Sequence, residues 1–483
     1  MNPFHRLRLR FSALLALAAL LAVAGCASFE PRVPPDAPIA PAAVDASPVA
    51  VDWPHDDWWH RYRDQQLDAL IDEGLAGAPS LAAARARVDR ARAIAGVARA
   101  ALLPQVGGNA SADYQRYSEN YIFPPPLGGT WQTDARATLD FSFEFDFWDK
   151  NGSALRAALS EAQGAAADAE AARLTLTTAI ARAYFNLQRL FAQRDVSQAA
   201  LGQRDDIVRI TTQRFGAGLD TRVEVRQADA ALATVRTELA QYDDAIVIAR
   251  NQLAALVGAG PSRGAKIAAV PLAAAPPPAL PAAIPLDLVG RRPEIVASRW
   301  RIDAARNDIV NAKAQFYPNV NIAAFAGLSS LGLSSLVSAG SAIFGVGPAI
   351  HLPIFEGGRL NANLRGRDAD ANLAIAAYNQ AVIDSVHDLA DAVASIRGHA
   401  RIVAEQAQAR EATTDAYNIA VIRYRAGLGN YLSVLTAQTS QLVQDRLQVD
   451  LEARAFDLDV NLAHALGGGY ADTSSAPLAA AAH

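Results

Sequence analysis

The chain has 483 residues, 51% of them hydrophobic and 19% charged, with a mean hydropathy of +0.07. That is too apolar for a disordered protein and too polar for a bundle of membrane helices. Forty-four Lys+Arg against 49 Asp+Glu leave a formal net charge of −5, so no basic surplus points to nucleic acid. A single Cys excludes a disulfide framework and a Cys-based zinc site, and the eight His (5, 55, 60, 351, 387, 399, 464, 483) never fall at a spacing such as HxxxH. Neither a metal nor a cofactor is expected.

Arg6, Arg8 and Arg10 precede an apolar run from Phe11 to Ala24 that is too short to span a bilayer, which needs about 20 residues. This is the pattern of a secretory signal peptide, residues 1–25. The run ends in Leu21-Ala22-Val23-Ala24-Gly25-Cys26, which resembles the bacterial lipobox. That resemblance implies a covalent lipid on Cys26, and Ala27 rather than Asp after it implies sorting to the outer membrane. Several acyl chains on one Cys anchor a protein stably in lipid. Residues 26–52, rich in Pro, Ala and Val, read as an extended tether.

The remainder reads as one pattern written twice. Pro79 and Pro293 are 214 apart, as are Pro104 and Pro318. Arg214-Phe215-Gly216-Ala217-Gly218-Leu219 matches Arg423-Tyr424-Arg425-Ala426-Gly427-Leu428 at an offset of 209, which also relates Leu253 and Gly258 to Leu462 and Gly467. Shared Pro and Gly punctuation predicts a first repeat over 53–260, a Pro/Ala linker over 261–285, and a second repeat over 286–469. A disordered tail, 470–483, is expected after them. Each repeat carries a long segment free of Pro, Ser153–Phe215 and Arg359–Arg425. At about 1.5 Å per residue the first makes a helix of more than about 90 Å, which implies coiled-coil packing. An Ala-Gly-Leu turn ends each, and a returning helix closes near Gly258 or Gly467, giving two helical hairpins over 153–258 and 359–467.

From Ala135 to Phe147 the alternation is complete. Ala135, Ala137, Leu139, Phe141, Phe143, Phe145 and Phe147 share one face, and Arg136, Thr138, Asp140, Ser142, Glu144 and Asp146 the other. One face in lipid and one in a watery lumen accounts for this pattern. Arg136, Asp140, Glu144 and Asp146 are then lumen residues, and two readings of the acids stand side by side: a bias of the pore toward cations, or simple hydration of it. Strands are predicted at about 105–117, 131–147, 319–330 and 342–354, with Tyr121, Phe123 and Trp131 as an interfacial girdle. Four strands leave two open edges, each unpaired backbone group costing several kcal/mol in hydrocarbon. Three copies give twelve strands and a closed barrel, with six helical hairpins forming a second tube. The expected fold class is therefore a mixed α/β membrane protein: a trimeric 12-strand transmembrane β-barrel continuous with a long periplasmic α-helical barrel.

Four segments carry a family resemblance: Trp58-Trp59-His60-Arg61-Tyr62 with Leu67-Asp68-Ala69-Leu70-Ile71, the stretch Ser142 to Asn151, Arg291-Arg292-Pro293-Glu294-Ile295, and Leu352 to Arg359. In order, inside a duplicated chain, they resemble the outer-membrane efflux factors, the TolC-like ducts, in their NodT-type lipoprotein branch. The resemblance implies a passive homotrimeric exit duct for drugs or other small toxic compounds. It would be fed by a periplasmic adaptor (membrane fusion) protein and an inner-membrane transporter of the RND type. It also implies a periplasmic gate where the hairpin ends meet. By position, Glu224 matches a first-repeat acid and Tyr424 a Tyr that hydrogen-bonds to it. Ser433 and Thr436 stand where many relatives carry acids, and Gly429 where an Arg often precedes them. The constriction charge then rests on Glu224 and Asp220, with Arg222 as the missing cation. Gly218, Leu219, Gly427 and Leu428 would be the adaptor-docking tips.

No nucleophile elbow or phosphate loop occurs, and no catalytic residue is assigned. Two alternatives remain: a duct for ATP-driven secretion and a structural periplasmic spacer lipoprotein. The spacer leaves the aromatic alternation of 135–147 unexplained.

Overall fold

The computed structural model describes residues 36–45, 53–120, 122–272, 280–285 and 287–472. The expected signal peptide, Cys26, the tether apart from 36–45, Tyr121, the run Pro276–Pro278 and residues 473–483 lie outside them.

In chain order, α1 (Gln65–Gly77) and α2 (Pro79–Ala100) lead into β1 (Gln105–Arg116) and β2 (Trp131–Phe145). The long helix α3 (Lys150–Gly216) and its return α4 (Arg222–Leu256) follow. Two single-turn helices, Pro261–Gly264 and Leu288–Arg291, precede α5 (Pro293–Ala314), β3 (Asn319–Leu331), β4 (Ala342–His351), α6 (Arg359–Arg425) and α7 (Tyr431–Ala465). Both long helices have 67 residues, both returning helices 35, and α2 and α5 both 22.

The helix ends follow from the sequence. Gly218 and Gly427 lie at φ +73° and +74°. The Leu219 N–H donates to Arg214 O (2.9 Å) and Gly218 N–H to Phe215 O (3.0 Å); Leu428 to Arg423 O (2.8 Å) and Gly427 to Tyr424 O (3.1 Å) repeat the pattern. These are Schellman closures, which a left-handed Gly permits. The returning helices end likewise at Gly258 and Gly467, with a difference in surroundings. A Cβ on Gly258 would stand 2.6 Å from Gly77 O, and one on Gly467 1.9 Å from Arg291 O, whereas at Gly218 nothing lies within 4 Å. Gly467→Ala should therefore cost about 3 kcal/mol or more in denaturant unfolding and Gly218→Ala only about 1–2 kcal/mol, the left-handed backbone penalty alone. Equal losses would show that the backbone approach at Gly467 is immaterial.

The chain divides into two compact units, each built from both halves of the sequence. One comprises residues 36–38, Val88–Gly164 and Ser298–Tyr378. Its strands form an antiparallel sheet in the order β1-β2-β3-β4. β2 stops at Phe145, two residues before the alternation does, because Asp146 turns its carboxylate to the Gly152 N–H (2.6 Å) at the start of α3. β4 stops at His351 rather than 354, just before Leu352-Pro353, where proline has no N–H for the ladder. Below the sheet's ends, Ile309, Ala312 and Phe316 of α5 pack on Leu360, Leu364 and Ala371 of α6.

The other unit comprises the described residues of Ile39–Arg87, Ala165–Ala297 and Asn379–His483. Its core gathers Trp58, Trp59, Leu70, Tyr184, Phe185, Leu253 and Phe456, with Phe185 stacked on Phe456 at 4.3 Å. The segment Trp58–Tyr62 is held by the Tyr62 hydroxyl, which donates to buried Asp459 (2.6 Å). Asp64 caps α1 and accepts from the Tyr184 hydroxyl (2.6 Å). Arg292 of the Arg-Arg-Pro motif is buried and bonded to Glu294 and Asp388.

Candidate functional site at the hairpin turns and the sheet face

Two features stand apart from ordinary packing. The first is the meeting of the hairpin turns α3–α4 and α6–α7. Tyr424 is wholly buried in a small core with Ile207, Ala228, Tyr431 and Val434. Its hydroxyl donates to Asp220. Arg214 grips the same carboxylate through Nε (2.9 Å) and Nη2 (3.3 Å), sends Nη1 to the Tyr424 carbonyl (3.2 Å), and lies 4.6 Å from the Tyr424 ring centre. Three groups from two hairpins thus converge on one carboxylate, and a charge-assisted bond of this kind is worth about 1.5–3 kcal/mol.

The electrostatics agree with this geometry. Burial alone would raise the Asp220 carboxyl, but the hydrogen bonds from Arg214 and Tyr424 outweigh it and hold the group below the usual carboxylate value. Burial, and then the bond to Asp220, push the Tyr424 phenol up to about 12.

The expected pairing of Tyr424 with Glu224 is therefore corrected: within the chain its partner is Asp220. Glu224 is engaged locally, bonding back to the Thr221 N–H (2.8 Å) in a capping box at the start of α4, and the Thr221 hydroxyl lowers its carboxyl. The cation beside Asp220 is Arg214, not Arg222, which is the first, exposed residue of α4. Ser433 is bonded to Asn430, the N-cap of α7 (2.9 Å), and Thr436 is exposed one turn on. Leu219 and Leu428 stand 64% and 71% exposed at the two turns.

The second feature is the sheet's two faces. The register places Val106, Ala110, Ala112 and Tyr114 of β1 with Trp131, Ala135, Ala137, Leu139 and Phe141 of β2. Val320, Ile322, Ala324 and Leu328 of β3 and Phe344, Val346 and Ile350 of β4 continue that face. Many of these side chains are largely exposed, Leu139 by 63% and Phe344 by 85%. The opposite face carries Arg136, Asp140 and Glu144 on β2 with Gln105, Asn109, Ser111 and Asp113 on β1. There Asp140 accepts from Asn109 (2.8 Å) and Thr138 (2.9 Å), Glu144 from Lys150 (2.7 Å), and Arg136 sits 5.5 Å from the Phe325 ring centre. Arg214, Asn109 and Phe325 are contacts that the sequence did not single out. Only Arg214 had left a signal, as part of the duplicated turn motif.

Comparison with known proteins follows this geometry. The family described as outer membrane efflux protein matches residues 70–259 and 285–468. The chain is 40% identical over 368 residues to the fusaric acid resistance protein FusA of Burkholderia cepacia, covering 74% of this chain and 69% of that protein. It is 31% identical over 460 residues to the multidrug resistance outer membrane protein MdtP of Shigella flexneri, covering 93% and 94%. Among solved structures, the outer membrane protein VceC of Vibrio cholerae superposes with a TM-score of 0.80 at 40% identity, over 86% of this chain and all of that one. The chain belongs to the outer membrane efflux protein family: it is a TolC-like efflux duct of the outer membrane, in a family of channels rather than of enzymes.

Proposed function

We propose that three copies of the chain assemble into a passive exit duct for drugs and other small toxic compounds. The observation that carries this is the two-faced four-stranded sheet with open edges at β1 and β4. An exposed apolar face is costly in water and favourable in lipid, but unpaired edge strands are not tolerated there. Three sheets joined edge to edge remove the edges and give twelve strands, with the apolar face in lipid and Arg136, Asp140 and Glu144 in the lumen; Asp146, expected there, lies past the end of β2 and caps α3 instead. The hairpins α3–α4 and α6–α7 of three copies would line a periplasmic helical barrel. Equal element lengths, matched Schellman turns and the Gly258–Gly77 and Gly467–Arg291 approaches support descent from a duplicated unit.

In this reading Asp220, Arg214 and Tyr424 fasten the two hairpins at a periplasmic gate, with Glu224, Ser433 and Thr436 shaping the turns. The exposed Leu219 and Leu428, beside Gly218 and Gly427, are the surface for a periplasmic adaptor, and an inner-membrane transporter supplies the energy. The relatives named for multidrug and fusaric acid resistance support small organic toxins as cargo. A lipid on Cys26 adds a second membrane attachment. Purified in mild detergent, the protein should elute with a light-scattering protein mass three times that of one chain. A monomer or dimer at all concentrations would sink this reading.

A further inference from the structure

We propose that Arg204 is a counterweight to the Asp220 contact: a buried guanidinium without a counter-charge that loosens the packing of α3 on α7 and keeps the hairpin ends able to part. Arg204 lies on α3, one turn before Ile207 of the small core around Tyr424 and about 15 Å along the helix from Arg214. It is 6% exposed. Its Nε and Nη1 are shut off from water and have no hydrogen-bond partner among the described residues. Its Nη2 reaches the Thr439 hydroxyl of α7 at 3.4 Å, beyond the usual range for such a bond. The Glu238 carboxylate of α4 lends it some support, but both Glu238 oxygens are held by Arg446 of α7, Oε1 at 3.3 Å from Nη1. Arg292, buried to the same degree, is bonded to two carboxylates, Glu294 and Asp388.

Arginine is rarely buried without a carboxylate, because taking the charge out of water is costly and only a well-placed partner offsets it. Burial accordingly lowers the Arg204 pKa. Other groups of α7 share the deficit. The Tyr431 hydroxyl and Gln438 Oε1 are shut off from water and without a partner among the described residues, although Gln438 Nε2 donates to Gln203 beside Arg204 (3.2 Å). Each unmet group costs free energy while the two helices stay packed and regains hydration when they separate. The Asp220 contact and the Arg204 layer therefore act in opposite directions on neighbouring turns of α3, one fastening the hairpin ends and the other loosening them. This rests on the gate reading above, in which α3–α4 and α6–α7 move apart on opening.

The test combines thermal unfolding of the detergent-purified protein with single-channel recording in planar bilayers. Arg204→Met keeps the length of the side chain and removes the charge. Thr439→Asp keeps Arg204 and sets a carboxylate where the hydroxyl now stands. Each should raise the thermal midpoint by about 2–4 °C and lower the leak conductance about tenfold. The double variant should gain no more than Arg204→Met alone, since the new carboxylate then has no cation to meet. Thr439 is exposed, so its variant serves if Arg204→Met folds poorly. A lowered midpoint in both single variants, or a fully additive gain in the double variant, would overturn the proposal. Asp220→Ala in the same recordings separates it from the gate reading. A leak raised by Asp220→Ala but unmoved by Arg204→Met and Thr439→Asp removes Arg204 from the balance and leaves the gate standing. A leak unmoved by any of the three removes the gate, and the counterweight with it.

Discussion

Asp220→Ala should unfasten the hairpin ends and raise the leak conductance of the assembled protein. The carboxylate is 9% exposed and its Arg214 partner 17%, so neither is well hydrated. Removing one member of a buried pair strands the other and costs about 3–5 kcal/mol. The lower figure suits a guanidinium at the rim, and about 3 kcal/mol is about a hundredfold change in the closed-to-open ratio. Tyr424→Phe removes one charge-assisted hydrogen bond and leaves the ion pair, for about 1.5 kcal/mol and about tenfold. Glu224→Ala removes only a capping contact and should leave conductance near that of the wild type. Single-channel recording ranks the three, and Glu224→Ala matching Asp220→Ala would overturn the assignment. The pH dependence follows from the same groups. Asp220 is held below the usual carboxylate value, so its contribution is complete above about pH 4 and is lost as pH falls through the lowered value. Tyr424 is raised, so the contact also fails as pH rises toward about 12. Conductance should therefore be flat across neutral pH and rise only at the extremes.

The contrast between Asp220 and Glu224 shows what the sequence could and could not reveal. The hairpins were legible because Pro and Gly punctuate them and because 67 residues without Pro can hardly be anything but helix. The strands were legible because a period of two over 13 residues has no helical counterpart. Their ends were less so: β2 and β4 stop where Asp146 turns to cap α3 and where Pro353 interrupts the ladder. The partner of Tyr424 was not legible by position, since Asp220 and Glu224 are four residues apart and both stand near the turn. The capping box Thr221-x-x-Glu224 was itself a sequence signal that Glu224 is spoken for, and it leaves Asp220 as the free acid. Arg214 sat inside the duplicated turn motif, but nothing local says that its side chain reaches across to the other hairpin. The order of the sheet was beyond reach for a different reason: it requires the pairing of β2 with β3, strands separated in sequence by the whole of the first hairpin.

Leu139→Lys should abolish assembly in the outer membrane, while Asn109→Lys on the other face should be tolerated. Leu139 is already 63% exposed on the sheet, so in a soluble protein the substitution would be neutral or even favourable. In a lipid-facing position the sign reverses: a Lys at mid-membrane costs about 2–4 kcal/mol, and threefold symmetry applies that cost three times, about 6–12 kcal/mol per assembly. Asn109 lies one residue away in the ladder, since its neighbour Gly108 pairs with Leu139, and already donates to Asp140. A Lys there meets a carboxylate on the polar face and gains an ion pair. Depth and the introduced side chain are thus matched across two neighbouring strands, and the faces are opposite. The measurement is the amount of detergent-stable oligomer in isolated outer membranes. Loss with Leu139→Lys and retention with Asn109→Lys would fix the lipid face, because no property of the isolated chain sets the two positions apart in that direction. Equal retention would mean that the apolar face is covered by protein, and the barrel would have to be given up.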